Sequence, residues 1–378
     1  MIKGFTQFIV EAARPASSVE EEQLTHLTHA KELHYADPKH AKLGLDLIRQ
    51  FHNHRQGQKS SIKASLKTDG GASVHIVNDE KGVGVTDKHR WARGIVARTP
   101  EEVDKHFGHA PEYAASMKQL LAHGHEFVNK GHHVQGDLLH TPTDNHTKKT
   151  GGTISTTPNR ITYKAKTKAP IGVAIHTEVH GNTAKALSKG ALKHSDNVFV
   201  PEHEHHPDPE NYSAEDRKAT EHHLAKAEEL LKGHSTAHLT PEHVLHFTTY
   251  MNSTTRTGTK PSVEGYKKHL QAVAEKKAGK LKTAAGQQKV RDQFNAMTAH
   301  VDKHAQHFQR SIDIHHHLEQ ATEHVLKGVK HPDMETSIDG KKSAGEGVVL
   351  QKGGRPVAKL VPRNVSTAIL NNPRFGRG

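Results

Sequence analysis

The sequence predicts an α+β protein in which antiparallel sheets with flanking helices are interrupted by a large helical insertion. Three observations carry this. Two alternating runs, Ile62-Lys63-Ala64-Ser65-Leu66 and Ala72-Ser73-Val74-His75-Ile76-Val77, bracket Lys67-Thr68-Asp69-Gly70-Gly71. They have the period of half-buried strands, and Asp-Gly-Gly between them suits a tight hairpin with positive φ angles. Further strand-like runs follow at His133-Val134-Gln135-Gly136-Asp137-Leu138-Leu139, Ile171-Gly172-Val173-Ala174-Ile175-His176, Glu346-Gly347-Val348-Val349-Leu350 and Val357-Ala358-Lys359-Leu360-Val361. Between residues 202 and 332 the strands give way to charged helices. Hydrophobic residues are only 33% of the chain and aromatics 4%, so part of it is a solvated helical region rather than core.

Taken in order, residues 1–13 place Phe5, Phe8 and Ile9 at spacings of three and four, one face of a short helix. This segment is too short and too polar for a secretory signal. Residues 13–22, with Pro15 and Ser-Ser-Val-Glu-Glu-Glu, read as a linker and helix cap. Helices are expected at about 20–33 and 38–56, the second burying Leu43, Leu47, Ile48 and Phe51. A strand at 82–86 follows the Lys67 hairpin. Thr99-Pro100-Glu101-Glu102 then starts a helix with proline at its first position, and a helix over 117–130 leads into the Asp137 strand. Lys148 to Gly152 reads as an exposed basic loop before strands at 160–164 and 171–176. Helices begin at Ser213-Ala214-Glu215-Asp216 and Thr240-Pro241-Glu242-His243, and a long helical stretch runs over 262–327.

The chain of 378 residues carries a formal charge of +12 and 37 histidines, a surface that favours polyanions, nucleic acid first. It has no cysteine, which excludes disulfides, thiolate metal sites and cysteine nucleophiles. No apolar run reaches the roughly 18 residues of a membrane span. The clusters His203, His205, His206 and His315-His316-His317 read as structural or solvated rather than metal-binding, because successive helical side chains diverge by about 100°.

Lys67 sits at a strand end. Partly desolvated among other cations, it is expected to have a lowered pKa and to act as a nucleophile.

The runs holding Lys67-Thr68-Asp69-Gly70, Asp137, His176, Glu346 and Lys359 resemble, in order, motifs I, III, IIIa, IV and V of the covalent nucleotidyltransferases. That superfamily includes ATP-dependent DNA and RNA ligases and RNA-capping enzymes. The resemblance covers about residues 24–182 and 335–372. The chain also resembles a group of tailed-phage proteins through an early helix containing His26-Leu27-Thr28-His29, together with Lys67 to Gly70, Gln135 to Leu138 and Lys359 to Arg363.

The first resemblance implies a ligase adenylation-domain-like fold and attack by Lys67 on the α-phosphorus of a nucleotide, giving a lysyl-NMP. ATP is the expected donor, ahead of NAD or GTP, with Mg2+. Lys359 would hold the α-phosphate, while Asp137 and Glu346 would bind ribose or metal. Asp69 would order the motif I turn, Gly70 would let the protein backbone approach the nucleotide, and His176 would face the base. The family's second motif V lysine is Val361 here, with Arg363 or Lys352 as candidate substitutes. The gap of 170 residues between His176 and Glu346 (346 minus 176) implies an inserted subdomain at 205–332 between domain parts 24–204 and 333–378. Only nineteen residues follow Lys359 (378 minus 359), too few for the OB-fold of DNA ligases, so an RNA-ligase-like activity ranks first and RNA is favoured over DNA. The competing readings are an NMP transferase acting on a host protein or small molecule, and a non-catalytic nucleic-acid-binding head protein.

Residues 1–11, ending Ile9-Val10-Glu11 before Ala12, resemble the capsid-targeting leader of T-even-like internal head proteins, with 12–23 as linker. That resemblance implies contact with the phage scaffold core, cleavage by the prohead protease, residence in the virion and later release into the host cytoplasm.

Overall fold

The computed structural model describes residues 27–36, 41–181, 183–343, 345–363, 365 and 367. The leader, its cleavage point, the linker, the first turns of the two early helices and the C-terminal residues 368–378 lie outside the described residues. A 3-10 turn at Ala30–Glu32 enters α1 (Leu33–Ala36), followed by α2 (Leu43–Arg55), β1 (Ile62–Leu66), β2 (Ser73–Asp79) and β3 (Gly82–Thr86). Next come α3 (Lys88–Trp91), α4 (Pro100–Phe107), α5 (Pro111–Phe127), β4 (His132–His140), β5 (Thr147–Thr150), β6 (Thr153–Thr156) and β7 (Ile161–Lys166). They lead to β8 (Ile171–His180), β9 (Thr183–Lys185), β10 (Val198–Phe199) and β11 (Glu204–His205). The helical stretch holds α6 (Ala214–Leu231), α7 (Pro241–Thr257), α8 (Val263–Ala278), α9 (Ala284–Lys303) and α10 (Ala305–Leu326). The chain returns through β12 (Met334–Ile338), β13 (Lys341–Ser343), β14 (Val348–Lys352) and β15 (Arg355–Leu360).

The fold is α+β, with three sheets among the described residues. The first has strand order β11-β1-β14-β15, the second β10-β8-β4-β2-β3 with β9 on β8, and the third β13-β12-β7-β6-β5. Among the described residues all pairings between these strands are antiparallel except the two-residue pair of β10 with β8. The helix starts follow the capping chemistry read from sequence: Thr99, Ser213, Thr240 and Ser262 each accept a backbone N–H three residues on.

Three local expectations are corrected. The Lys67 segment is not a hairpin, because β1 pairs with β11 and β14 while β2 pairs with β3 and β4. Neither Gly70 nor Gly71 takes a positive φ; the segment is a crossing between sheets. The helix expected through residue 33 is extended at His29, which bridges in parallel to Lys359, with Lys359 N–H donating to Thr28 O at 3.1 Å. Lys148 to Gly152, read as a loop, is strand β5 and a turn in which Gly151 and Gly152 take positive φ.

The first sheet buries Ile62, Ala64, Leu350 and Leu360 against Leu47, Ile48 and Phe51 of α2, and against α6 and α10. Each of the leucine, isoleucine and phenylalanine side chains among them contributes about 1.5–3 kcal/mol of transfer free energy. Thus α6 and α10, the outer helices of the 205–332 segment, are part of the core beneath the first sheet. The inner three, α7, α8 and α9, gather with Tyr35 and Phe308 in a separate cluster. The second sheet is covered by α4 and α5, leaving its other face towards the first and third sheets.

Candidate active site

Lys67 leaves the end of β1 under two backbone clamps: Leu66 N–H donates to His203 O at 2.6 Å and Lys67 N–H to Gly347 O at 2.9 Å. Its ammonium pairs with Asp69 and lies 2.9 Å from Glu346 Oε2. Glu346, only 1% exposed, uses its other oxygen to accept Asp69 N–H at 3.0 Å. The third sheet completes the hold: Tyr163 Oη also meets Asp69 N–H at 3.1 Å and donates to Asp69 O at 3.0 Å, and Asn159 Nδ2 donates to the same carbonyl at 2.9 Å.

One ammonium thus faces two carboxylates. Burial favours the neutral amine of Lys67, but Asp69 and Glu346 outweigh it and raise the pKa above the ordinary lysine value. The expected lowering is corrected: the charges beside Lys67 are chiefly anions. Burial also opposes the charge of Asp69, yet Lys67 holds its carboxyl down at about 2. Glu346, deeper, is pushed well above the carboxylate range by burial and by Asp69.

Gly70 lies against β4 so closely that an added Cβ would collide with Leu138 O and stand 2.8 Å from Asp137 Cβ. Its role here is close approach to Asp137; burial, then Asp69, raise the Asp137 carboxyl to about 7. His176 Nε2 is 3.9 Å from Asp137 Oδ2, and His176 Nδ1 is 2.7 Å from Thr177 Oγ1. Burial brings His176 down to about 4, so the ring is a neutral, planar wall of the crevice it lines with Leu66, Thr68 and Ile175.

Lys359 on β15 faces the same group. Burial and the neighbouring Lys67 lower its pKa, a shift opposite in direction to that of Lys67. Beside it stand His29, driven well below its ordinary pKa by burial and Lys359, and Glu32, raised by burial. Sequence reasoning missed Tyr163, Asn159 and Glu32. The early His26-Leu27-Thr28-His29 motif was the one available signal for the N-terminal neighbours.

Two candidates are not brought here. Arg363 donates to Glu319 Oε2 at 2.7 Å and to the carbonyls of Thr254 and Thr259, so its charge is committed to the helical region, where Lys31 also reaches Glu319 at 2.7 Å. Lys352 is exposed at the opposite end of the first sheet, paired in register with Ile62. Val361 is buried with Leu139, Ile161 and Tyr163; a lysine there would have to desolvate its charge among apolar side chains.

The arrangement can place a nucleophilic amine, a second cation and buried carboxylates around one phosphorus. Of the two carboxylates expected to serve a metal, Glu346 has both oxygens engaged, whereas Asp137 retains hard-oxygen capacity. That suits magnesium, which keeps waters and takes few protein ligands. Among the described residues no group of three or more His, Cys, Asp or Glu is arranged to hold a metal. His205 instead packs against His54 and lies 3.5 Å from Asp208, and His317 meets His223 at 2.9 Å. No described helix is long and apolar enough to cross a membrane.

No match was found among curated proteins or among solved structures. One family model, described as a family of unknown function (DUF6267), matches residues 24–371. It spans both sequence regions that supply the lysine site and the helices between them, and the chain belongs to this family.

Proposed function

We propose that the chain is a phage nucleotidyltransferase with a ligase adenylation-domain-like fold, which forms a covalent lysyl-NMP intermediate from ATP and acts in an RNA-ligase-like reaction. The observation that carries this reading is the meeting of Lys67, Asp69, Glu346 and Lys359, with Asp137 and His176 on the facing sheet, from segments far apart in sequence. In the reaction, Lys67 Nζ forms a bond to the α-phosphorus as the bond to the bridging oxygen breaks, and pyrophosphate leaves with that electron pair. Lys67 must first lose a proton. Glu346, 2.9 Å away and with its pKa raised, is the acceptor in position. Lys359 stabilises charge growing on the α-phosphate, and magnesium, held through Asp137 and substrate phosphates, would supply further charge neutralisation.

Two observations favour a non-catalytic nucleic-acid-binding role instead: Lys67 rests as a locked ammonium, and the position of the family's second motif V lysine is Val361. Incubation with each radiolabelled nucleoside triphosphate, or NAD, and Mg2+ separates the two. A denaturation-stable adduct lost in Lys67→Ala is expected, with ATP the best donor. No adduct from any donor leaves the binding role; an adduct that persists in Lys67→Ala and vanishes in Lys359→Ala moves the nucleophile to Lys359.

A further inference from the structure

A cavity of about 680 Å³ opens where the far end of the first sheet meets β8 and β9. Lys63 and Lys67 lie four residues apart on one strand direction, so its edge is about 13 Å from the lysine site. Lys63 and Arg355 line it from the first sheet, Lys185 and Lys189 from the β9 side. The two walls are tied together by Ala186 N–H donating to Gly354 O at 3.0 Å. Among the described residues no carboxylate comes within ion-pair distance of Lys185, Lys189 or Arg355, and Lys63 stands 3.8 Å from Glu204 with its side chain 74% exposed, a weak pairing.

The one carboxylate in the wall is already engaged. Glu178, its side chain 5% exposed, accepts Ser188 N–H at 3.0 Å and His132 Nδ1 at 2.9 Å, and lies 3.3 Å from His180 Nε2. Its charge orders the loop that carries Lys189. Four cations converging from two walls on a cavity of this size exceed what a single carboxylate ligand would use. They match two or more phosphate groups, with arginine able to bind one in a bidentate way and the lysines acting as point charges.

We propose that this cavity is a phosphate-binding site, which takes the phosphodiester or polyphosphate groups of a ligand on Lys63, Lys185, Lys189 and Arg355. It stands independently of lysyl-NMP formation. The test uses the full chain with two probes, tripolyphosphate and a short 5′-fluorescent single-stranded RNA, followed by anisotropy and calorimetry over a salt series. Wild type should bind at least one probe with affinity that falls with salt. K185E/R355E should lose about tenfold or more and reduce the salt slope by about 2. The neutralised K185Q/R355Q, with an unchanged thermal melt, should lose affinity in the same direction. Displacement of RNA by tripolyphosphate, or binding of tripolyphosphate alone, assigns the site to polyphosphate; RNA binding without displacement assigns it to phosphodiesters. The proposal is overturned if wild type binds neither probe at low salt, or if both double variants bind as tightly as wild type.

Discussion

Lys67 and Glu346, 279 positions apart, meet at 2.9 Å, and the same carboxylate accepts the backbone N–H of Asp69. A single buried side chain therefore fixes both the lysine and the turn that follows it.

The first prediction concerns acid stability. Asp69 is held at about 2, against an ordinary value of roughly 4. Its pairing with Lys67 contributes fully above the unfolded value and is lost as pH falls through about 2. Because Asp69 is about one-third exposed, solvent screening limits the contribution to about 1 kcal/mol. Urea unfolding of wild type and Asp69→Asn should converge as pH is lowered from about 4 towards 2.

Asp137 behaves in the opposite sense. Its carboxyl, raised to about 7, binds a proton more readily folded than unfolded, so its stabilising contribution is full below roughly 4 and disappears as pH rises through 7. Asp137→Asn should therefore gain stability relative to wild type across that window. Lysine labelling in wild type should rise through pH 7 as the ionised ligand forms, and the variant should give a low, flat profile.

Gly70→Ala places a methyl against a β4 backbone that cannot yield. A loss of about 1–3 kcal/mol in unfolding free energy is expected, with labelling down by more than about tenfold. Gly71→Ala is the contrasting control: its Cβ would meet Pro158 at 3.6 Å, ordinary contact, and near wild-type behaviour should result.

Arg55 is fully buried. It donates to both oxygens of Asp208 at 2.8 and 2.6 Å, to Val325 O at 2.9 Å and to Lys327 O at 2.6 Å, and it lies over the Tyr212 ring. Arg55→Met strands a carboxylate and two carbonyls and should cost about 3–5 kcal/mol in chemical denaturation. Arg55→Lys should not restore stability, since an ammonium cannot reproduce the planar fork.

A last prediction rests on residues 1–15 alone. If they form a cleaved targeting leader, mass spectrometry of virions should find the protein with its N-terminus at Ala12. Absence from particles, or an intact Met1 to Glu11, would sink this reading.

Local chemistry was decided by the sequence itself. Alternation drew β1, β3, β4 and β8, because a strand with one buried face must repeat every two residues. Thr99, Ser213 and Thr240 marked helix starts because each supplies the oxygen that an unpaired N–H needs. The motif residues Lys67, Asp137, His176, Glu346 and Lys359 could be picked out one by one. Only the tertiary structure decided what surrounds them. Local period says nothing about which sheet a strand joins, so the Lys67 turn looked like a hairpin and proved to be a crossing. The sign of the Lys67 shift also depended on Glu346 arriving from the far end of the chain. Arg363, two strand-like steps beyond Val361, had the right charge for the site, but Glu319 on α10 claims it. Charge is a property of a residue, whereas its partner, and hence its pKa and its role, is a property of the fold.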